Sequence, residues 1–286
     1  MQEQDAAKRE RYRQKMRMKK RRRITVLIIL AIILFFIVFG LVKLLSWIFA
    51  PKYITSANIG PLPPAEGDSI VVMQPPVYYD YSVPVPLSTS VEDSYFSDVL
   101  MIGDARVAGF PLFGYLPKAD CLASEGISVD KIKDYNFDVN GISRTLREQL
   151  ASKPYKAIYI QVGLNELGWE NNAAFYKSYS ELVEIIKNAA PGASIYLQGI
   201  IPITSGKSGS PSYLTNEKIA ESNSLIKQIA EEKKVYYLDV TEGMSNGTGV
   251  LLSGYAASNG LSLTREGYNK WIEYLKTHVV DKEKYS

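Results

Sequence analysis

The feature that most constrains this chain is a run of nineteen uncharged residues, Ile24–Val42, dominated by Ile, Leu, Val and Phe. As an α-helix this run measures about 29 Å, which matches the hydrocarbon thickness of a bilayer. A cleaved signal peptide has a shorter apolar core and a small-residue cleavage site, and Ile48-Phe49-Ala50 fits such a site poorly. The sequence therefore predicts an uncleaved, single-pass transmembrane helix over residues 24–49.

The charges beside this run predict its orientation. Residues 1–23 contain eleven Lys and Arg against three Asp and Glu, a balance of +8, so the rest of the chain carries −5 of the net +3. By the positive-inside rule the basic tail is cytoplasmic and everything after the helix is extracytoplasmic, which predicts a cell-membrane protein. The mildly acidic body gives no reason to expect nucleic acid as a partner, and for the tail we favour a role in topology and contact with anionic lipids.

Residues 50–94 are predicted to be an extracytoplasmic linker. They hold eight of the fourteen prolines and show neither a helical nor a strand period. Proline-rich chain of this kind favours a semi-rigid, extended spacer. The tyrosine-rich cluster Val77–Tyr81 leaves a second interpretation open, in which this end of the linker docks on the domain or on a partner.

Residues 95–286 have the pattern of a globular domain. Short apolar runs at 99–102, 157–162, 194–197 and 235–238 are typical of buried parallel strands, and helical patterns occur at 142–150, 173–189, 216–233 and 264–279. This alternation predicts an α/β fold with helices on both faces of a parallel sheet, which binds ligands at the carboxyl ends of its strands. The sequence has no GxGxxG, P-loop, CxxC or metal-spaced His/Cys motif, so we expect neither a cofactor nor a metal.

Four segments carry the motifs that indicate a function. They are Val99–Arg106, Ser124–Ser128, Gly163–Glu166 and Asn259–Tyr268. Their order, spacing and placement after strands resemble the four blocks of the SGNH, or GDSL-type, hydrolases from residue 98 to the last helix. The resemblance implies a flavodoxin-like three-layer sandwich.

In that family a serine attacks an ester carbonyl, a histidine takes its proton and an aspartate orients the histidine. The resemblance places Ala105 at the nucleophile position, Asn259 at the aspartate position and Ser262 at the histidine position. The oxyanion-hole donors that it implies are retained, namely the N–H of Ala105, Gly126 and the amide of Asn165. The residues expected beside the pocket are Asp104, Arg106 and Glu166.

These replacements remove the functional groups that ester hydrolysis by a serine triad needs. Alanine has no hydroxyl, serine has no basic nitrogen near neutral pH, and asparagine has no charge to stabilise an imidazolium. The one histidine, His278, lies sixteen residues after Ser262 and is expected to be an exposed residue at the end of the last helix. Acid–base work by Asp104 and Glu166 is a minor alternative.

The favoured hypothesis is a membrane-anchored, extracytoplasmic and catalytically inactive domain of a bacterial cell envelope. It would bind an acylated or carbohydrate ligand, or scaffold an envelope protein partner. Two alternatives stay open. One is an active esterase or O-acyltransferase that acts on surface polysaccharide, and the other is a purely structural protein-interaction domain.

Overall fold

The computed structural model describes residues 77–113, 115–116, 118–139 and 141–285. No helix within these ranges combines the length and the apolar character that a bilayer crossing requires. The predicted cytoplasmic tail, the predicted transmembrane helix and the linker up to residue 76 lie outside the described residues.

The sheet has the predicted parallel arrangement. The strands of the described ranges are β1 (Val99–Gly103), β2 (Asp120–Ala123), β3 (Phe137–Val139), β4 (Ile142–Arg144), β5 (Ala157–Gln161), β6 (Ser194–Gln198) and β7 (Tyr236–Leu238). Five of them form one parallel sheet in the order β2-β1-β5-β6-β7, while β3 and β4 form a separate antiparallel hairpin. Numbered within the sheet alone, this order is 2-1-3-4-5, the flavodoxin-like order, so the α/β prediction is confirmed.

Three of the predicted helices are confirmed and one is partly wrong. The helices are α1 (Ala105–Phe113), α2 (Leu146–Ser152), α3 (Asn172–Ala189), α4 (Asn216–Lys233), α5 (Val240–Ser245) and α6 (Arg265–Thr277). The predicted helix 142–150 divides into β4 and α2, because Thr145 caps α2 and forms a reciprocal capping box with Glu148. At the start of α6 the Thr264 hydroxyl accepts a hydrogen bond from the Gly267 N–H at 3.1 Å, which confirms the predicted helix start.

Side chains on the two faces of the sheet form two separate cores, which gives the molecule three layers. One face packs Ile102, Ile158 and Leu197 against α2, α3 and α4. The other face packs Met101 and Tyr159 against α1, α5 and α6, where Trp271 is fully buried. Because every residue of β1, β5, β6 and β7 is buried, these strands appear in the sequence as continuous apolar runs.

The end of the predicted linker lies against the domain. Tyr79 packs edge-on against Tyr236, the first residue of β7, and Tyr81 stacks on the same ring. The Val85 N–H donates to the Tyr237 carbonyl of edge strand β7 at 2.9 Å, and the Ser88 N–H donates to the Thr277 carbonyl at 2.6 Å. The interpretation in which the tyrosine cluster docks on the domain is therefore the one observed. We call residues 77–92 the strap.

Candidate functional site

The topology of the sheet fixes where a ligand site is expected. The strand order reverses at β1, because β2 lies on one side of it and β5 on the other. Loops that leave the carboxyl ends of two such strands diverge and leave a crevice between them. The loop after β1 carries Ala105 and the loop after β5 carries Asn165, so both predicted donors lie at the switch point.

The five residues at the predicted family positions share one property, which is exposure to solvent. They are Ala105, Gly126, Asn165, Asn259 and Ser262. None of the five is among the residues that line the 940 Å³ cleft between the strap and the C-terminal segment. The five residues lie at exposed loop ends and turns.

The start of α1 presents a free backbone donor. The Asp104 carboxylate accepts a hydrogen bond from the Arg106 N–H at 3.0 Å, in the manner of a helix N-cap. The Asp104 carbonyl accepts from the Ala108 N–H at 2.9 Å. Among the described residues no acceptor takes the N–H of Ala105 or of Gly126, so both remain available to a ligand.

Hydrogen bonds tie the loop of Gly126 to the loop of Asn165. The Asn165 amide donates one N–H to the Ile127 carbonyl at 2.8 Å, and Glu166 accepts from the Val129 N–H. An amide nitrogen has two hydrogens, so Asn165 keeps a second N–H for a ligand. Gly163 starts this loop with φ of 130°, a conformation that side chains disfavour, and a Cβ there would lie 2.6 Å from Ile200.

The last block forms a closed turn. The Asn259 amide oxygen accepts from the N–H groups of Leu261 and Ser262 at 2.9 and 2.8 Å, and its nitrogen donates to the Ser262 hydroxyl at 2.9 Å. Asn259 and Ser262, which the resemblance assigns to the aspartate and histidine positions of the family, are thus in contact. Asn259 uses its side chain to build the turn and to orient a serine instead of an imidazole.

Arg106 connects this turn to the start of α1. Its guanidinium is buried and donates to the Leu261 carbonyl from Nε at 3.1 Å and from Nη2 at 2.9 Å. It also donates to the carbonyls of Ile201 and Pro202 in the loop after β6. This residue was expected beside the pocket, and the structure shows it buried next to Ala105, where it joins the loop after β6 to the turn of Asn259.

His278 lies far from these loops, at the C-terminal end of α6. Its Nδ1 lies 2.8 Å from the Tyr274 carbonyl oxygen, and its ring stacks on the Tyr274 ring at 3.7 Å. The expected position at the helix end is confirmed, but the expected exposure is wrong, because the side chain is buried under the strap and Tyr274. No other histidine exists in the chain to act as a general base.

Comparison with known families identifies the fold and its motifs. Residues 101–270, more than half of the chain, match the GDSL-like Lipase/Acylhydrolase family. The chain belongs to this family. The matched range includes the loops of Ala105, Gly126, Asn165 and Asn259. No curated protein sequence matches the chain.

Several solved structures are similar to this GDSL-like domain. A proposed platelet activating factor from Streptococcus pneumoniae is 20% identical, with a TM-score of 0.50 over 63% of this chain and 82% of that one. A proposed acylhydrolase from Bacteroides fragilis is 16% identical, with a TM-score of 0.49 over 67% and 88%. A GDSL-like lipase from Bacteroides thetaiotaomicron is 15% identical, with a TM-score of 0.49 over 66% and 89%. Identities this low establish the fold alone.

The two carboxyl groups of the GDSL blocks are buried rather than exposed at a pocket mouth. Asp104 and Glu166 are 3% and 5% exposed, and Glu166 leaves its Oε2 without a hydrogen-bond partner among the described residues. Burial, with a smaller contribution from the nearby Asp104, raises the pKa of Glu166 to about 7, although the hydrogen bond from the Val129 N–H opposes the shift. Burial also raises the pKa of Asp104, although Arg106 opposes that effect. Both groups accept hydrogen bonds from backbone N–H groups, Asp104 from Arg106 and Glu166 from Val129.

The substitution Glu166→Gln should remove part of the pH dependence of stability. Between the ordinary pKa of 4.5 and about 7, the folded protein holds a proton that the unfolded chain has lost. Stability therefore falls as pH rises through this window, by up to about 3 kcal/mol for a shift of this size. Gln keeps the acceptor for the Val129 N–H but cannot ionise. Urea denaturation from pH 4.5 to 8 measures the change.

The matched control is Glu181→Gln, because Glu181 is an exposed carboxylate on α3. This variant should keep the parent's decline in stability with rising pH. Equal slopes for the parent and Glu166→Gln would contradict a raised pKa at this residue.

No set of three or more His, Cys, Asp or Glu side chains suited to a metal ion occurs among the described residues. The single cysteine, Cys121 in β2, packs with the α1/α6 core, and burial raises its pKa to about 12. Its surroundings suit a small, half-buried apolar residue rather than a nucleophile.

Proposed function

We propose that this GDSL-like domain binds an acylated or carbohydrate ligand of the cell envelope without hydrolysing it. The observation that carries the proposal is the side-chain set of the three catalytic positions. Ala105, which the resemblance assigns to the nucleophile position, stands at the start of α1 and has no hydroxyl, and Ser262, which it assigns to the histidine position, is hydrogen-bonded to Asn259. Acyl transfer of this type requires a hydroxyl beside an imidazole.

The donors that remain are suited to binding an ester carbonyl. The N–H groups of Ala105 and Gly126 and one N–H of Asn165 are unclaimed by other described residues. In an active enzyme such donors stabilise the negative charge that develops on the carbonyl oxygen. Without a nucleophile, the same donors give a site that can hold an ester, an amide or a sugar hydroxyl.

We also propose that residues 24–49 anchor the protein in the cell membrane, with residues 1–23 in the cytoplasm and the domain outside. The support is the uncharged apolar run and the basic residues before it. Extraction of expressing cells at alkaline pH tests the anchor, because a peripheral protein would be released and a spanning protein would stay with the membranes.

The test of binding without turnover uses the full-length chain in detergent micelles. Aryl-acetate hydrolysis should not exceed the background rate, and calorimetry should detect binding of O-acetylated xylotetraose. Asn165→Ala should weaken that binding by about tenfold, since one hydrogen bond to a ligand is worth about 1.4 kcal/mol.

The matched control is Asn188→Ala, which removes an exposed amide near the opposite edge of the sheet and should leave binding unchanged. Thermal denaturation of both variants checks that they fold. Turnover of the aryl acetate by the unmodified chain would refute the proposal and favour the active-esterase alternative.

A further inference from the structure

Two neighbouring side chains hold the loop that carries Gly126. Asn165 donates one N–H to the Ile127 carbonyl at 2.8 Å, and the Glu166 carboxyl accepts a hydrogen bond from the Val129 N–H. The side chains of Ile127 and Val129 are buried, so this part of the loop also packs against the core. Asn165 and Glu166 thus connect the loop after β2 to the loop after β5.

The Glu166 carboxyl is paired at only one of its two oxygens. Oε1 accepts from the Val129 N–H, whereas Oε2 is buried and has no hydrogen-bond partner among the described residues. An ionised carboxylate offers about four acceptor positions, and a buried charge is costly unless it is paired and hydrogen-bonded. The geometry therefore favours the neutral acid while the loop is in place.

Negative and neutral groups lie around this carboxyl. Burial raises the pKa of Glu166 to about 7, and the carboxylates of Asp104 and Asp130 act in the same direction, while the Val129 N–H opposes the shift. Burial and the nearby Glu166 raise the pKa of the Tyr179 phenol on α3, so this group is uncharged. A negative charge on Glu166 would therefore face two like charges and a neutral hydroxyl.

No described residue forms an ion pair with Glu166. Charged side chains of the neighbouring loops and helices include Glu125, Lys131, Arg106 and Lys218. The Arg106 guanidinium donates to backbone carbonyls of other loops, and the Lys218 ammonium donates to the Leu167 carbonyl at 3.1 Å. Glu125 and Lys131 are exposed to solvent. The loop in place thus offers no cation to an ionised Glu166.

We propose that Glu166 makes the loop of Gly126 respond to pH, so that the loop is closed while the carboxyl is protonated and opens when it ionises. Closed and open mean with and without the hydrogen bond between Val129 and Glu166. The inference rests on the proposed function, because opening releases Gly126, one of the proposed donors, from its place next to the loop of Asn165.

The direction of the response follows from proton linkage. In the open loop, water reaches the carboxylate, so its pKa returns towards the ordinary value of 4.5 from about 7 in the closed loop. Opening therefore releases a proton. The ratio of open to closed loops should rise up to about tenfold per pH unit between these two values and level off above them.

Hydrogen exchange of the ligand-free, full-length chain in micelles tests the response at the Val129 N–H. After correction for the intrinsic rate of exchange, its protection should fall by about tenfold or more between pH 5 and 7 and change little above pH 8. Glu166→Gln keeps an acceptor but cannot ionise, so it should abolish this dependence. The matched control is Glu148→Gln, because Glu148 is an exposed carboxylate that also accepts a backbone N–H. It should leave the Val129 profile as in the parent.

Two results would overturn the inference. One is protection of Val129 in the parent that does not depend on pH. The other is protection equal to that of the β5 amides at every pH, which would mean that the loop opens only when the whole domain unfolds. The experiment needs no ligand, so a pH-dependent loop in a chain that fails to bind O-acetylated xylotetraose supports this inference and counts against the proposed function alone. Binding of that probe by a chain whose Val129 exchange is independent of pH overturns the inference and leaves the proposed function in place.

Discussion

The combined substitution Ala105→Ser, Asn259→Asp and Ser262→His should raise aryl-acetate hydrolysis at least about a thousandfold over the unmodified chain. Loss of a serine triad lowers turnover by roughly a million-fold, while the oxyanion hole keeps part of the rate enhancement. The proposed oxyanion donors at residues 105, 126 and 165 need no substitution. An aspartate at 259 retains an acceptor for the N–H groups of residues 261 and 262, and its second oxygen can accept a hydrogen bond from an imidazole at 262.

Ala105→Ser alone should raise the rate by less than about tenfold, because no base is within reach of the new hydroxyl. The matched control is the variant that combines Ala105→Ser and Asn259→Asp with Ser258→His, which moves the imidazole to an exposed neighbouring serine. It should remain inactive. A well-folded triple variant that hydrolyses no faster than the parent would contradict the assignment of positions 105, 259 and 262.

Arg106→Met should lower the free energy of unfolding by about 3 to 5 kcal/mol. Burial lowers the pKa of this guanidinium to about 10, so it remains charged at neutral pH beside the buried Asp104. Its removal leaves one buried carboxylate without its cation and leaves the carbonyls of Ile201, Pro202 and Leu261 without their donors. Breaking a buried charge network by removing one partner has an effect of this size.

Arg106→Lys should recover only part of the loss, because one ammonium cannot reproduce the geometry of a guanidinium that spans three carbonyls. The control is Arg147→Met, which removes an exposed arginine on α2 and should change stability by less than about 0.5 kcal/mol. Urea denaturation measures all three variants. Equal stabilities for Arg106→Met and Arg147→Met would contradict a structural role for the buried guanidinium.

Elements with a strong local signal could be predicted from the sequence. The runs of β1, β5, β6 and β7 are apolar throughout because both faces of the sheet are covered, and α3, α4 and α6 show a helical period. Helix α1 was missed because Gly109 and Pro111 disfavour a helix locally. Gly109 is required there by the close approach of Tyr268, whose hydroxyl would lie 1.8 Å from a Cβ at that position. Such a long-range contact leaves no mark on the neighbouring sequence.

The candidate site also has features that the sequence predicts and features that it does not. The loops of Ala105 and Asn165 could be located, since each follows a strand that the sequence predicts. The burial of Asp104, Arg106 and Glu166 could not be anticipated, because it depends on loops that are distant in the chain, such as 201–202 and 127–129.

The hydrogen bonds of the strap determine how the domain resists a pull on its N-terminal end. The strap enters at the start of β7 and holds the end of α6, where Ser88 and Val91 donate to the carbonyls of Thr277 and Lys276. Tension applied through residue 77 is therefore resisted by the edge of the sheet and by the C-terminal end of a helix. The loops after β1 and β5 lie at the other end of the strands, outside this line of force. A pull on residue 77 can thus be sustained without distortion of the loops after β1 and β5.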